Sequence, residues 1–261
     1  MSFGICNLSV IPCRKESSSR SEMVTQLLFG ETFKVIAEDE GWAQIVTTFD
    51  NYECWISASQ YMHLTPDEFN QITHNSRFLV NDIISVITNK TNYATFPCVA
   101  GSSLPNLEDD NFEINDIKFN YEGELSDTNQ LGTREKIVEK AYEFINAPYL
   151  WGGRTALGID CSGLTQLVYK LNGYILPRDA YQQANEGNAI DFVEEAKEGD
   201  LAFFDNEEGK ITHVGIVLRD SKILHASGQV RIDKLDHNGI FNEAKQEYTH
   251  KLRIIKQILE D

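Results

Sequence analysis

The sequence has no long hydrophobic run: nothing in its 261 residues approaches the roughly eighteen consecutive apolar residues of a membrane span. Nor does the opening Met1-Ser2-Phe3-Gly4-Ile5-Cys6-Asn7-Leu8 hold the basic stretch and apolar core of a secretory signal. With Met1 as the natural start, the expected location is the cytoplasm. Positive charge is scarce. Lys and Arg number 23 against 40 Asp and Glu, a net charge of −17, which argues against binding nucleic acid or an anionic membrane through bulk charge. The imbalance is uneven, with 7 basic against 19 acidic side chains in residues 1–127 and 16 against 21 in the remainder. Its plainest consequence is a solubilising surface. Cysteine is sparse too. Cys6, Cys13, Cys54, Cys98 and Cys161 form no C-x-x-C pair and no zinc-ligand spacing, and their odd number fits reduced thiols. Four are expected to be buried structural hydrophobes.

What is present suits one large domain or two to three small ones, each able to bury a core. Residues 1–64 read as a small all-β unit, in which short β-rich pieces are separated by Pro12, Gly30, Gly41 and Asp50-Asn51. Trp42 is expected in its core. Pro66 to Thr73, opened by Thr65-Pro66-Asp67-Glu68, is expected to be a short connecting helix. Residues 65–127 then continue as a second β unit, with strands over Leu79–Thr88, Tyr93–Ala100 and Asn111–Tyr121. Residues 128–261 form the last domain, opened by a helix from Thr133 to about Asn146 whose apolar face is Ile137, Val138, Ala141, Phe144 and Ile145. Helices come first there and strands after them, an α+β layout.

The chemistry centres on a glycine-rich loop, Ala147 to Ile159, that ends in Asp160 and enters a helix. Leu164, Leu167, Val168 and Leu171 repeat at helical spacing, and Asn172-Gly173 stops the segment. Asp160 is a good N-cap, which puts Cys161 in the first turn, where the helix dipole favours the thiolate. Two strand-like segments downstream, Thr212–Leu218 and Lys222–Gly228, flank Arg219-Asp220-Ser221 as a hairpin with one histidine on each arm. His213 would take the thiol proton and His225 would orient its ring. The two rings share a face only if the turn has an odd number of residues or a bulge intervenes. His63, His74, His237 and His250 lie outside any motif and are expected on the surface or in loops.

These residues carry a resemblance. Tyr149-x-Trp151-Gly152-Gly153, Asp160-Cys161-Ser162-Gly163, Gly199-Asp200-Leu201-x-Phe203-Phe204, His213-Val214-Gly215-Ile216 and His225-Ala226-Ser227 are similar to the NlpC-type papain-like peptidases. Residues 21–31, Trp42-x-x-Ile45 and Asp50-x-Tyr52-x-x-Trp55-Ile56 resemble a bacterial SH3-like module. The resemblance implies a papain-like catalytic domain preceded by one or two small SH3-like barrels. It also implies cleavage of murein tripeptides or tetrapeptides at the γ-D-glutamyl–diamino acid bond, with no metal or organic cofactor. In family terms Cys161 attacks, the Cys161 N–H and Tyr149 face the oxyanion, and Trp151, Asp160 and Ser162 contact substrate. Arg178 would pair with the D-Glu carboxylate, and Asp179 with the free amine of L-Ala. Ala180 stands where the family has serine. Tyr52 and Glu53 are candidates for a wall that admits only a free N-terminal L-Ala.

The expected activity is therefore release of L-Ala-γ-D-Glu from free muropeptides, a recycling reaction. Its rivals are an exported wall hydrolase with glycan-binding SH3-like domains, a binding module with a dead cleft, and an acyltransferase on the same scaffold. Neither the choice of Lys or meso-diaminopimelate nor the oligomeric state is set by these residues.

Overall fold

The computed structural model describes residues 2–259. The chain divides into two compact units, Met1–Gln130 and Leu131–Asp261. The first begins with seven strands: β1 (Ser2–Ile5), β2 (Val10–Arg14), β3 (Met23–Leu28), β4 (Thr32–Asp39), β5 (Trp42–Thr47), β6 (Glu53–Ser57) and β7 (Met62–Leu64). They form one antiparallel sheet in the order β3-β2-β6-β5-β4-β1-β7. Alternation decides which residues fill it: β5 buries Ala43, Ile45 and Thr47, and Ala43 and Ile45 pack with Ile11, Cys13, Phe33, Cys54 and Ile56. Trp42 is on the opposite phase and only half-buried, against expectation. The interior of this small sheet is filled by smaller side chains.

Then α1 (Pro66–Asn75) opens with a capping box, in which the Glu68 N–H donates to Thr65 Oγ1 and the Thr65 N–H to Glu68 Oε2. It runs two residues past the expected end. Phe69 and Ile72 are its buried face, and Phe69 stacks on Phe3 with centroids 4.3 Å apart. Six strands follow: β8 (Phe78–Val80), β9 (Ile84–Asn89), β10 (Thr95–Val99), β11 (Asn111–Ile114), β12 (Ile117–Asn120) and β13 (Leu125–Asp127). Four pair in the order β10-β9-β12-β11, and β8 pairs with β13. The stretch expected as one strand over Leu79–Thr88 is broken at Asp82, whose carboxylate accepts from the Tyr121 hydroxyl and the Glu124 N–H. Asn111–Tyr121 is a hairpin, turned by Asn115 and Asp116 at φ 46° and 61°. Ile5, Phe29 and Leu64 share one core with Val80, Ile87, Phe112 and Phe119.

The second unit starts with α2 (Arg134–Tyr142), capped by Thr133, which accepts from the Lys136 N–H at 3.4 Å. The helix stops short of Asn146. Its last turn tightens, with the Phe144 and Ile145 N–H groups reaching back three residues, and Asn146 reverses the chain at φ 69°. A small hairpin of β14 (Arg154–Thr155) and β15 (Gly158–Ile159) leads into α3 (Cys161–Leu171), buried at every residue. After α4 (Ala180–Gln183) come β16 (Asn188–Ile190), β17 (Leu201–Asp205), β18 (Ile211–Leu218), β19 (Lys222–Ser227), β20 (Gln229–Asp236), β21 (Gly239–Asn242) and β22 (Glu247–Gln257). Their order is β16-β22-β17-β18-β19-β20-β21, and β22 also pairs with β21, closing six strands into an antiparallel barrel. α3 packs on β18 and β19. This is the α+β, papain-like arrangement that the order of elements leads one to expect. Among the described residues no helix is long and apolar enough to cross a membrane.

Candidate active site

Asp160 is the N-cap of α3 and accepts from the Gly163 N–H at 2.6 Å. Its other oxygen accepts from the Gly152 N–H at 2.8 Å, so one carboxylate ties the glycine-rich loop to the helix start. Gly163 is required there. A Cβ at that position would fall well inside van der Waals contact of the Gly153 carbonyl oxygen. Tyr149 is half-buried in the same loop, and Trp151 is exposed at its edge.

Arg178 was expected to meet a substrate carboxylate. Instead it is 1% exposed, and its guanidinium bridges both oxygens of Asp160 at 3.0 and 2.6 Å and Ser162 Oγ at 2.9 Å. Gln183 adds a bond from Nε2 to the Ser162 carbonyl at 3.0 Å. The turn at 177–183 thus braces the first turn of α3 from behind. Asp179 is half-buried and caps α4, its N–H donating to Gln182 Oε1 at 3.2 Å. In the first unit, Tyr52 packs beside the core of the β1–β7 sheet, its N–H donating to Thr47 Oγ1 at 2.8 Å, and Glu53 is exposed beside Gln44 at the start of β6.

Cys161 is buried against β18, where its sulfur meets the backbone N–H of Val214, the residue that follows His213 in the strand. The helix dipole was expected to favour the thiolate, but desolvation outweighs it. Burial, with the Asp160 charge acting the same way, pushes the thiol up to about 12, against the opposing effects of the Val214 and Ser162 N–H groups and Arg178. The resting cysteine is a thiol. Tyr149 is likewise pushed up to about 12, by burial and then by Cys161 and Asp160, which keeps its hydroxyl a donor.

The hairpin turn has three residues, since Leu218 pairs with Lys222, and this odd number puts His213 and His225 on one face. His213 Nε2 lies 2.8 Å from His225 Nδ1, with the rings at 85°. His225 Nε2 lies 3.0 Å from Asp233 Oδ2 on β20, and Arg231 Nη2 donates to Asp233 Oδ1 at 2.8 Å. Burial raises the Asp233 carboxyl, but the His225 and Arg231 hydrogen bonds prevail and hold it below the ordinary range. His213 is pushed well below the usual imidazole range by burial first and by His225 and His250 after it, so it rests neutral.

His250 is not a surface or loop residue. It lies on β22, half-buried, and stacks on His213 with centroids 4.1 Å apart and planes at 25°. Burial and the neighbouring His225 bring it down to about 4. Ring nitrogens of His213, His225 and His250 all lie within 4.8 Å of one another. The set is nevertheless arranged for hydrogen bonding. His225 is engaged through both nitrogens, and the stacked rings of His213 and His250 carry their in-plane lone pairs side by side. Asp233 and His250 had no motif to announce them. The signal for Asp233 was an acid in phase with Leu235 on a buried strand; for His250 there was only its place in an alternating stretch.

The arrangement supplies a nucleophile, a neutral base and a buried donor in one place. The chain's sequence matches the NlpC/P60 family over residues 146–250 and the bacterial dipeptidyl-peptidase Sh3 domain over residues 13–60. A γ-D-glutamyl-L-lysine dipeptidyl-peptidase of Bacillus subtilis is 31% identical over 218 residues, 77% of this chain and 71% of that protein. One of the same name from Bacillus cereus is 24% identical, covering 87% of this chain and 74% of its own length. The crystal structure of an NlpC/P60 family protein from Bacillus cereus matches 99% of this chain and 100% of that one at a TM-score of 0.83 and 20% identity, a likeness of fold.

Proposed function

The chain belongs to the NlpC/P60 family, and we propose that it is a cysteine peptidase cutting the γ-D-glutamyl–diamino acid bond of murein peptides with a free N-terminal L-Ala. The observation that carries this reading is Cys161 at the head of a buried helix, its sulfur at the backbone of Val214, the residue next in the chain to a His213 that is itself bonded to His225. The relatives' names, with lysine after γ-D-glutamate and a dipeptide as product, support the bond and the free amine.

Cys161 sulfur attacks the γ-carbonyl carbon while its proton passes to His213, so the buried thiolate never stands alone. The oxyanion that forms meets the Cys161 backbone N–H and the Tyr149 hydroxyl. His213 then returns the proton to the departing amine of the diamino acid. Water, deprotonated by His213, hydrolyses the thioester and releases L-Ala-γ-D-Glu. Trp151 and Ser162 flank the peptide. Asp179 receives the α-ammonium of L-Ala. Arg178 acts through Asp160. The same reading places the enzyme among free muropeptides in the cytoplasm, which fractionation of native cells would check.

The experiment is mass spectrometry of products from L-Ala-γ-D-Glu-L-Lys, its meso-diaminopimelate counterpart and their N-acetyl forms. Cleavage of the free-amine peptides alone is expected, and none with Cys161→Ala. Equal rates on acetylated peptides would favour an exported wall hydrolase.

A further inference from the structure

We propose that Asp233 is a positioning residue of this site: through His225 it sets the tautomer of His213, leaving Nδ1 of His213 unprotonated for the Cys161 proton. The inference rests on the peptidase reading for its catalytic meaning, and on geometry for its substance.

The hydrogen bonds fix the protons one after another. Asp233 is a carboxylate held by Arg231, and a carboxylate only accepts, so the proton on His225 is at Nε2, 3.0 Å from Oδ2. A His225 ring that carries this one proton has its lone pair at Nδ1. His213 Nε2, 2.8 Å away, must therefore be the donor, which leaves the lone pair of neutral His213 at Nδ1. When Cys161 attacks, its S–H bond breaks, sulfur bonds to the carbonyl carbon, and the proton joins His213 at Nδ1. The imidazolium so formed still donates through Nε2 to His225, and His225 still donates to Asp233. No proton moves along the chain, and every bond is satisfied before and after transfer. The buried negative charge of Asp233 lies behind the positive charge that develops on His213, as the orienting acid of a triad does.

Other charged or titratable groups face this row from each neighbouring strand. His250 on β22 stacks on His213, Arg231 on β20 pairs with Asp233, Cys161 approaches from α3, and Lys245 acts on His250 from the turn before β22. None of them offers His225 Nε2 an alternative acceptor among the described hydrogen bonds.

Arg231 reaches both carboxylate oxygens: Nη2 donates to Oδ1 at 2.8 Å, and Nε lies 2.8 Å from Oδ2, the oxygen that faces His225. The acceptor is therefore removed by Asp233→Leu, whereas Asp233→Asn can keep its amide oxygen at the Oδ2 position, facing both His225 Nε2 and Arg231 Nε. In Asp233→Leu nothing holds the His225 proton at Nε2; it moves to Nδ1 and donates to His213, whose own proton then occupies Nδ1, the atom that has to receive one. The measurement is 15N–1H NMR of histidine-labelled protein, which reads tautomers without substrate, together with kcat and KM on the murein tripeptide. Wild type should show Nε2–H at both His213 and His225, and Asp233→Leu should show Nδ1–H at both. The variant's kcat should fall at least roughly 100-fold with KM within about threefold of wild type. Asp233→Asn should keep the wild-type tautomers and at least roughly tenfold more kcat than Asp233→Leu. Wild-type tautomers in Asp233→Leu, or a kcat loss matching only a loss of folded protein, would overturn the proposal. Failure of wild type to cut any murein peptide would instead overturn the functional reading, while the NMR result still decides the role of Asp233.

Discussion

Gly215 sits directly across the hairpin from His225, and the space where its side chain would be is the space that lets two imidazoles meet. A Cβ on Gly215 would lie 2.9 Å from His225 Cβ and 2.7 Å from Ile223 Cδ1. His213 is two residues earlier on the same face and reaches diagonally across this gap to His225. Gly215→Ala should therefore displace the His225 ring. The expected cost is about 1–3 kcal/mol in stability, as for other overpacked positions, with at least about a tenfold fall in kcat. Denaturant unfolding and steady-state kinetics on the same preparation check this; full activity would mean that the ring contact does not depend on the gap.

Arg178 gives a prediction that separates bracing from substrate binding. Arg178→Met leaves Asp160 buried without its partner, and breaking a buried pair in this way costs about 3–5 kcal/mol. Because Asp160 also caps α3, kcat should fall with stability. A rise in KM with unchanged kcat and unfolding midpoint would show instead that the guanidinium meets the substrate.

His250 stacks on His213 and makes no bond to it in the described set, so the shape of the ring should matter more than its nitrogens. His250→Phe should keep kcat within about threefold of wild type, whereas His250→Ala should lower it about tenfold by freeing the His213 plane. Identical kinetics for the two variants would remove the stack from the account.

The pH dependence follows from two histidines that fold neutral. His213 is held well below the usual imidazole range and His250 at about 4. Unfolded, both titrate near about 6.5, so below that pH the unfolded chain binds protons that the folded chain refuses. Their contribution is present above the unfolded value and is lost as pH falls from it toward the folded values. Urea midpoints should therefore drop between about pH 6.5 and pH 4, and less steeply in His250→Phe. The acid limb of kcat/KM should fall below the ordinary imidazole range, since activity needs neutral His213. A limb near 6.5 would contradict the burial argument.

Local chemistry was readable where one segment decides it. The Asp160 cap, the Cys161 helix and the histidine hairpin follow from adjacent residues, as does the capping box of α1. What escaped depends on segments far apart in the chain. His250 reaches His213 only because β22 closes the barrel between β17 and β21, and no local pattern states that pairing. Asp233 becomes meaningful once the register of β19 and β20 is known. The thiol of Cys161 follows the same rule: the dipole is a property of its own helix, whereas burial is contributed by everything packed around it. Trp42 failed for a simpler reason, since one step of alternation puts Ala43 inside and the large ring outside.

Barrel closure also orders events during synthesis. β22 is the last of the six staves to leave the ribosome, and it alone joins β17 to β21 while bringing His250 onto His213. A nascent chain halted before Glu247 already carries Cys161, His213, His225 and Asp233, yet two strand edges remain unpaired and one face of the His213 ring is bare. The stack of His250 on His213 thus forms at the same step that seals the strand edges against pairing with neighbouring chains.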